Sequence, residues 1–411
     1  MKMTLHKDIW RFTARVSNKI NLLVIKSSDI NSVNTWSGIP YHIVHYLKKS
    51  EVFYVKVLSP IFDPFSRYSY LLDSLLRKLF KKRIDLEVSF FAAFYFSVYL
   101  KIWLMFQKNR YDYILSIGHG TEIAMLKVEI PILSVVDCSL VSLFDYYHEY
   151  DDLFSYRRRE IASIEDRHFM NSTVILTASE WAASEIHRIH GIKKEKIHFC
   201  NFGANLKKIP EVDLNKKLSD NRCRFLFIGK DWERKGGQHA FEIVERLNGR
   251  GVPSELHVCG CSPSIKSENV VVHNFLQKDK EEDILRLYEL LNKAHFFLFL
   301  SRAECYGIAM VEAAAFGVPI IAYRTGGIPS VVTTDINGLL VEKRSDTEKI
   351  LSFIEHYWID KAQYSKLVQR TRLDFEQRLS WTSWCRNLNE ILSEKDKTGS
   401  IELRAAFISA N

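Results

Sequence analysis

Residues 300–340, LSRAECYGIAMVEAAAFGVPIIAYRTGGIPSVVTTDINGLL, contain the pattern that decides the fold. The apolar run at 296–300 predicts a buried strand, and the good helix formers after Gly307 predict a helix with an apolar stripe. Gly317 stands where a helix C′ residue would, Pro319 follows it, and 319–323 predicts a second strand. Strand, helix, strand and a turn at 326–327 are the repeat of a parallel α/β sheet.

Two carboxylates mark this unit. Glu304 precedes the helix, beside its free amides, and Glu312 lies eight residues further on, a little over two helical turns. Both carboxylates are therefore expected to face one crevice. There, their oxygens would accept hydrogen bonds from sugar hydroxyls, while backbone amides and cations would bind phosphate oxygens. The alternative is that they are two solvated acids on the surface of an ordinary α/β unit.

This spacing resembles the E-x7-E signature of retaining glycosyltransferases with the GT-B fold, in particular glycosyltransferase family 4, also called glycosyl transferases group 1. The likeness continues through ECYGIAMVEA at 304–313, GVP at 317–319 and GGIP at 326–329, although Ser330 stands where the family commonly has Glu. It spans about 20–392 and implies an α/β, GT-B fold with two Rossmann-like domains facing a central cleft. The implied reaction transfers a sugar from a nucleoside diphosphate sugar with retention of anomeric configuration. It implies no cofactor, because the nucleoside diphosphate sugar is the donor substrate.

Composition is compatible with such an enzyme. The chain has 411 residues, enough for two domains, with 47% hydrophobic residues and a net charge of +8 that favours anionic partners. Seven scattered cysteines indicate neither a disulfide framework nor a zinc motif, so we predict no metal site and a reducing, cytoplasmic environment. The basic segment 1–19 has no apolar core typical of a secretory signal. Net charge alone is a weak argument for nucleic acid, which we do not predict as a partner.

The first domain is predicted at 1–206 and contains the motif WSGIP at 36–40, in the loop after the strand 20–25. Gly38 permits close approach of backbone to a phosphate or sugar. The motif resembles the first loop of a subset of the same transferases. That resemblance implies acceptor contacts for Trp36 and Ser37 and a donor contact for Gly38.

Two loops after strands 113–117 and 132–136 are expected to border the cleft, because ligands bind at the carboxyl ends of parallel strands. His119 would bind an acceptor sugar or simply cap a helix. Many family members have a histidine at the place of Asp137, and the WSG subset has Asp, so Asp137 is a candidate catalytic residue with an unassigned role.

The apolar run 90–106, next to the basic stretch 77–83, leaves three interpretations open. It is 17 residues long and contains Lys101, which is marginal for a membrane span. A core helix is the first interpretation. An interfacial helix in peripheral contact with an anionic membrane, at the inner face of the plasma membrane, is the second, and a transmembrane segment is the least favoured.

The second domain, predicted at 207–384 and followed by a helix at about 385–395 that crosses back onto the first, begins with a cationic loop. Gly229, Lys230 and Lys235 lie between a strand and a helix, where glycines and cations suit a diphosphate without a divalent ion. The family has arginine at the place of Lys230. Asn274 follows a later strand and is a candidate for base or ribose contact.

The resemblance assigns these residues to roles. The candidate catalytic residues are Glu304, Lys235, Lys230 and Asp137; the predicted donor-binding residues are Gly38, Gly229, Lys230, Lys235, Asn274, Glu304, Tyr306, Gly307, Ile308 and Glu312. The implied acceptor is a glycan or lipid-linked saccharide of bacterial surface polysaccharide or lipopolysaccharide. Two alternatives remain open, a non-catalytic GT-B carbohydrate-binding subunit and a GT-B enzyme of another reaction type.

Overall fold

The computed structural model describes residues 19–59, 64–108, 110–209, 211–212, 214–273 and 275–397. Two six-stranded parallel sheets, each flanked by helices, make up these residues. Nearly all of the N-terminal segment 1–19 and the predicted donor contact Asn274 lie outside the described residues.

The first sheet has the order β2-β1-β3-β4-β5-β6. Its central strands are completely buried apolar runs, as expected for a parallel sheet covered by helices on both faces. Its strands and helices are β1 Ile20–Ile25, α1 Ile39–Lys49, β2 Phe53–Leu58, α2 Pro64–Phe80, α3 Phe90–Met105, β3 Tyr113–Ile117, β4 Ile132–Val136, α4 Ser155–Asn171, β5 Val174–Thr177, α5 Glu180–His190 and β6 Ile197–Phe199.

The second sheet has the order β12-β11-β10-β7-β8-β9, and the loops after β7 and β10 face the first domain. Its strands and helices are α6 Leu214–Leu218, β7 Cys223–Ile228, α7 Gly237–Gly249, β8 Ser254–Cys259, β9 Val270–His273, α8 Glu281–Lys293, β10 Phe296–Phe299, α9 Ile308–Ala315, β11 Ile320–Tyr323, β12 Gly338–Val341, α10 Thr347–Ile359 and α11 Lys361–Arg378.

The last helix, α12 Trp381–Lys397, returns to the first domain. The Trp381 ring stacks on Phe202 with a centroid distance of 5.6 Å, and its Nε1–H donates to the Asn205 side-chain oxygen at 3.1 Å. Trp384 and Leu388 of the same helix are buried in the core cluster that includes α1. α12 thus packs on the first domain, and it begins at the Trp-Thr-Ser-Trp motif, before the start expected at about 385.

The predicted two-domain α/β architecture is confirmed, with two local differences. β12 was not predicted, because this strand is only four residues long and its three apolar residues directly follow the turn-like Asn337-Gly338 pair. The glycine pair at 326–327 leads into a single 3₁₀ turn, Ile328–Ser330, where the start of a longer helix was expected. Among the helices in the described ranges, none combines the length and apolar content that a membrane crossing requires.

Candidate active site

A cavity of about 320 Å³ lies between the two domains, at the carboxyl ends of their strands. Val33, Asn34 and Ser37 line it from the first domain, and the loops after β7, β8 and β10 line it from the second. Eight of the predicted site residues line it: Ser37, Gly229, Lys230, Lys235, Glu304, Gly307, Ile308 and Glu312. The sequence therefore identified residues that the fold brings together from three separate segments.

Glu304 lies at the floor of this cavity and is held by two cations. Its carboxylate forms an ion pair with the Lys235 ammonium, and the Arg234 guanidinium lies 3.9 Å from the same oxygen. The Lys235 ammonium also lies 4.6 Å from the centre of the Phe299 ring. Only 11% of the Glu304 side chain is exposed, so these charges interact in a partly dehydrated environment.

Glu312 is buried within α9 and pairs with the Lys278 ammonium. Burial raises the pKa of Glu312, whereas Lys278 and the Asn205 backbone N–H oppose that rise. Lys278 is thus the side chain that favours the ionised form of Glu312. Nothing in the local sequence around Lys278 indicated this contact, because it joins residues 34 positions apart.

The cationic loop is shaped by glycine. Gly236 has φ +75°, and a Cβ there would lie 2.1 Å from the Leu300 carbonyl oxygen, so this loop packs directly on the end of β10. That contact places Lys235 beside Glu304. Lys230, at the other side of the cavity, has its ammonium 4.7 Å from the centre of the Phe275 ring.

Gly307 is the N-cap residue of α9 and has the left-handed conformation, with φ 91°. The first amides of a helix have no partner within it, and here they open onto the cavity at Gly307 and Ile308. The Tyr306 side chain, in contrast, turns away into the first domain, and its hydroxyl donates to the Phe202 carbonyl oxygen at 2.7 Å. A donor contact by Tyr306 would therefore involve its backbone.

The first loop is strained at consecutive residues. Trp36, Ser37 and Gly38 all have positive φ, at 45°, 57° and 87°. Trp36 donates from Nε1 to Asp137 at 3.0 Å, and Asn205 donates to the Ser37 carbonyl at 2.8 Å. These two bonds hold a conformation that costs non-glycine residues about 1–3 kcal/mol each. Gly38 lines a second, smaller cavity that adjoins Ser37 and Lys278.

Asp137 follows β4 and lies behind the Trp36 ring. Burial raises the pKa of Asp137, and the charge of His119 and the Trp36 hydrogen bond act in the opposite direction. Of the predicted acceptor residues, Trp36 and His119 do not line the main cavity, within the part of the chain that the structure describes. The predicted catalytic residue Asp137 is likewise not among the described residues that line this cavity.

Two tyrosines that sequence reasoning did not single out connect the domains. The hydroxyls of Tyr146 and Tyr147 accept hydrogen bonds from the backbone N–H groups of Glu304 and Cys305, at 3.0 and 3.2 Å. The Arg234 guanidinium stacks on the Tyr147 ring at 4.9 Å. Nothing in the sequence next to this tyrosine pair indicated contact with the second domain.

The arrangement suits an anionic ligand that also carries hydroxyl groups. Positive charge and N–H donors come from Lys230, Lys235 and the start of α9. The carboxylates of Glu304 and Glu312 can accept hydrogen bonds from ligand hydroxyls. The cavity is open to both domains, so a second substrate can approach from the first.

Comparison with known proteins shows that this chain is similar to glycosyltransferases. Residues 211–374 match the family model described as glycosyl transferases group 1. An uncharacterized 41.2 kDa protein in the cps region of Klebsiella pneumoniae is 26% identical over 187 residues, which cover 42% of this chain and 50% of that protein. The putative colanic acid biosynthesis glycosyltransferase WcaL of Escherichia coli K12 is 22% identical over 229 residues, 51% of this chain and 55% of that protein. The chain thus spans about half the length of these two curated relatives.

Solved structures share the fold over nearly the whole chain. The lipopolysaccharide outer core galactosyltransferase WaaB is similar with a TM-score of 0.61 and 14% identity, over 92% of this chain and 100% of that one. Sucrose-phosphate synthase from Thermosynechococcus elongatus has a TM-score of 0.62 and 14% identity over the same shares. HepE of Anabaena, in complex with UDP and glucose, has a TM-score of 0.54 and 13% identity over 91% of this chain and 99% of that one.

Proposed function

Because this chain belongs to the glycosyl transferases group 1 family, through its residues 211–374, and has the GT-B fold, we propose that it transfers a sugar from a nucleoside diphosphate sugar to a saccharide acceptor. We further propose retention of the anomeric configuration, no requirement for a divalent ion and a hexosyl donor. The observation that carries the proposal is the cavity between the domains, which combines two lysines, two glutamates and a helix start.

Each charged group has a role in this proposal. Lys230 and Lys235 neutralise the diphosphate, and Lys235 stabilises the negative charge that develops on the leaving group. Glu312 accepts hydrogen bonds from the ribose hydroxyls, and Glu304 accepts them from the hydroxyls of the donor sugar. Glu304 and Lys235 neutralise each other before the donor arrives, so donor binding exchanges one ion pair for two ligand contacts.

The acceptor side is formed by the first domain. Ser37 contributes to the cavity wall, and Trp36 and His119 interact with Asp137 behind it. Closure of the two domains excludes water from this space, which limits hydrolysis of the donor. WaaB is a lipopolysaccharide outer core galactosyltransferase and WcaL a putative colanic acid biosynthesis glycosyltransferase, and this similarity supports a bacterial surface polysaccharide or its lipid-linked precursor as the acceptor.

A surface of the first domain supports peripheral contact with an anionic membrane. Exposed apolar side chains recur on one face of α3, at Phe91, Phe94, Val98, Ile102 and Met105, and on one face of α2, at Tyr68, Leu71, Leu75 and Leu79. The opposite face of α3 packs in the core through Ala92, Phe96 and Leu100. Arg77, Lys78, Lys81 and Lys82 lie beside the exposed stripe and complement anionic headgroups.

Vesicle co-sedimentation tests this contact. We expect the protein to sediment with vesicles that contain anionic lipid and not with neutral phosphatidylcholine vesicles. Phe91→Ser combined with Phe94→Ser should abolish sedimentation, whereas Leu373→Ser, an exposed leucine on α11, should leave it unchanged. Equal sedimentation of the double variant and the wild type would exclude the α3 face as the contact.

The donor site is tested by calorimetric titration with UDP-, GDP- and ADP-sugars in EDTA. One donor should bind with micromolar affinity. Glu312→Ala should abolish this binding, and Glu376→Ala, which removes an ion-paired but exposed glutamate, should preserve it. Failure of every donor to bind would favour the second candidate, a non-catalytic GT-B subunit that binds carbohydrate.

A further inference from the structure

A cluster of three potential metal ligands connects the two domains outside the donor cavity. Asp137 and Cys138 follow β4 in the first domain, and Cys305 precedes α9 in the second. One ligand atom of each lies within 4.8 Å of the other two. Both cysteine residues are buried, with 1% and 6% of their surface exposed, and both are free thiols.

The surroundings of the cluster leave one oxygen of Asp137 directed at the thiols. Trp36 donates to Oδ2, whereas Oδ1 lies 3.5 Å from the Cys138 sulfur. A hydrogen bond to the second oxygen of a ligating carboxylate is what orients such ligands in metal sites. The Cys305 sulfur lies 3.5 Å from the Tyr147 hydroxyl, so its position is also fixed.

We propose that Asp137, Cys138 and Cys305 bind one divalent cation of the zinc type, and that the bound ion fastens the two domains to each other. Two thiolates and a carboxylate form a donor set for Zn²⁺, Co²⁺ or Cd²⁺, and they discriminate against Mg²⁺ and Ca²⁺. Binding replaces the two thiol protons, which leave to solvent, and a water molecule completes four-coordination.

The consequence for activity rests on the proposed transfer function. Cys305 is adjacent to Glu304, and donor exchange requires the second domain to separate from the first. An ion shared between β4 and the 304–305 loop opposes that separation and also occupies Asp137. The bound metal therefore inhibits turnover, whereas the transfer reaction itself needs no metal.

Cobalt absorption tests the site without any assay of transfer. The reduced full-length protein, titrated with Co²⁺, should develop a thiolate-to-cobalt charge-transfer band in the near ultraviolet that saturates at one ion per chain and disappears on addition of Zn²⁺. Cys138→Ser and Cys305→Ser should each lose most of this band. Cys261→Ser, a partly exposed cysteine outside the cluster, should retain it.

Three results would overturn the proposal: no thiolate band in the wild type, an undiminished band in both cluster variants, or a disulfide between Cys138 and Cys305 in place of metal binding. Circular dichroism verifies that each variant is folded, and Cys138→Ala with Cys305→Ala provides a second pair. If transfer is detected in EDTA, excess Zn²⁺ should lower its rate at least tenfold in the wild type and less than twofold in Cys138→Ser. Equal inhibition of both would exclude the domain-fastening role.

Discussion

The phenolic oxygen of Tyr146, in the first domain, accepts a hydrogen bond of 3.0 Å from the backbone N–H of Glu304, in the second. The bond joins a loop after β4 to the residue at the floor of the donor cavity. Gly326 permits this approach, because a Cβ at that position would lie 2.6 Å from the same phenolic oxygen. Tyr146 thus acts on the ligand site through the backbone of Glu304, as a positioning residue.

Tyr146→Phe should lower kcat by about tenfold and change the donor KM by less than twofold. The variant leaves the Glu304 N–H without its acceptor in a partly buried place, which costs about 1–2 kcal/mol. Burial raises the pKa of Tyr146 to about 12, so its loss should not alter the pH profile of kcat between pH 7 and 10. Tyr156→Phe, on an exposed tyrosine, is the control. An unchanged kcat would contradict the positioning role.

Lys278→Ala should make donor binding more sensitive to acid. Burial already raises the pKa of Glu312, and Lys278 limits that rise, so its removal raises the pKa further. The carboxylate form is the better acceptor of ribose hydroxyls, so affinity falls as pH decreases through this pKa. We expect about tenfold weaker binding at pH 7 and a midpoint displaced to higher pH, both measured by calorimetry from pH 5 to 8.5.

A charge-preserving variant separates the effect on Glu312 from general loss of positive charge. Lys278→Arg should restore the wild-type midpoint, and Lys280→Ala, two residues further along an exposed segment, should leave it unchanged. If all four proteins share one midpoint, Glu312 is not the group whose protonation governs binding.

Much of the fold followed from local pattern. The apolar runs that became β1, β3 and β4 were predicted to the residue, because a parallel strand buried on both faces is a continuous apolar segment. The run 90–106 was ambiguous for the same physical reason. α3 buries Ala92 and Phe96 and exposes Phe91 and Phe94, so a core helix and an apolar surface coexist in one segment.

The site was predictable where it lies on one motif and not where it depends on the approach of the two domains. Glu304, Gly307 and Glu312 follow from the spacing in a single stretch. The two glutamates are also contacted from elsewhere in the chain, Glu304 by Tyr146 and Arg234 and Glu312 by Lys278. No periodicity in the segments of these three residues predicts which partner they contact. Asp137 was assigned to the cleft without its link to Cys305, which likewise requires both domains to be in place.

Asn205→Asp should weaken the connection between the first loop and α12. The Asn205 amide donates to the Ser37 carbonyl at 2.8 Å, while its oxygen accepts from Trp381 at 3.1 Å. A carboxylate keeps the second bond and loses the first, and it faces the Ser37 oxygen with a negative charge. The strained loop then lacks one of its supports.

We expect Asn205→Asp to lower the free energy of unfolding by about 1–3 kcal/mol, measured in urea. The free energy of donor binding should become less favourable by a similar amount. Asn205→Leu should cost at least as much, because it removes both bonds. Asn171→Asp, at the end of α4, is the matched control for stability alone, since it also loses side-chain donation to two carbonyls but lies outside the donor cavity. Equal donor affinity in wild type and Asn205→Asp would show that Ser37 is positioned by other contacts.

Lys217 should give the protein an unusual increase of stability with pH. Its ammonium is buried in α6 and donates to the carbonyls of Leu291 and Ala294, and burial lowers its pKa from 10.5 to about 7. Between these two values the unfolded chain holds a proton that the folded chain has lost, so folding becomes more favourable as pH rises, by up to about 1.4 kcal/mol per pH unit.

Urea unfolding of wild type and Lys217→Met from pH 7 to 9.5 measures this, because every other titrating group contributes equally to both proteins. Across that range, the free energy of unfolding of the wild type should increase relative to that of Lys217→Met by about 2 kcal/mol or more. A constant difference would mean that Lys217 remains protonated in the folded protein.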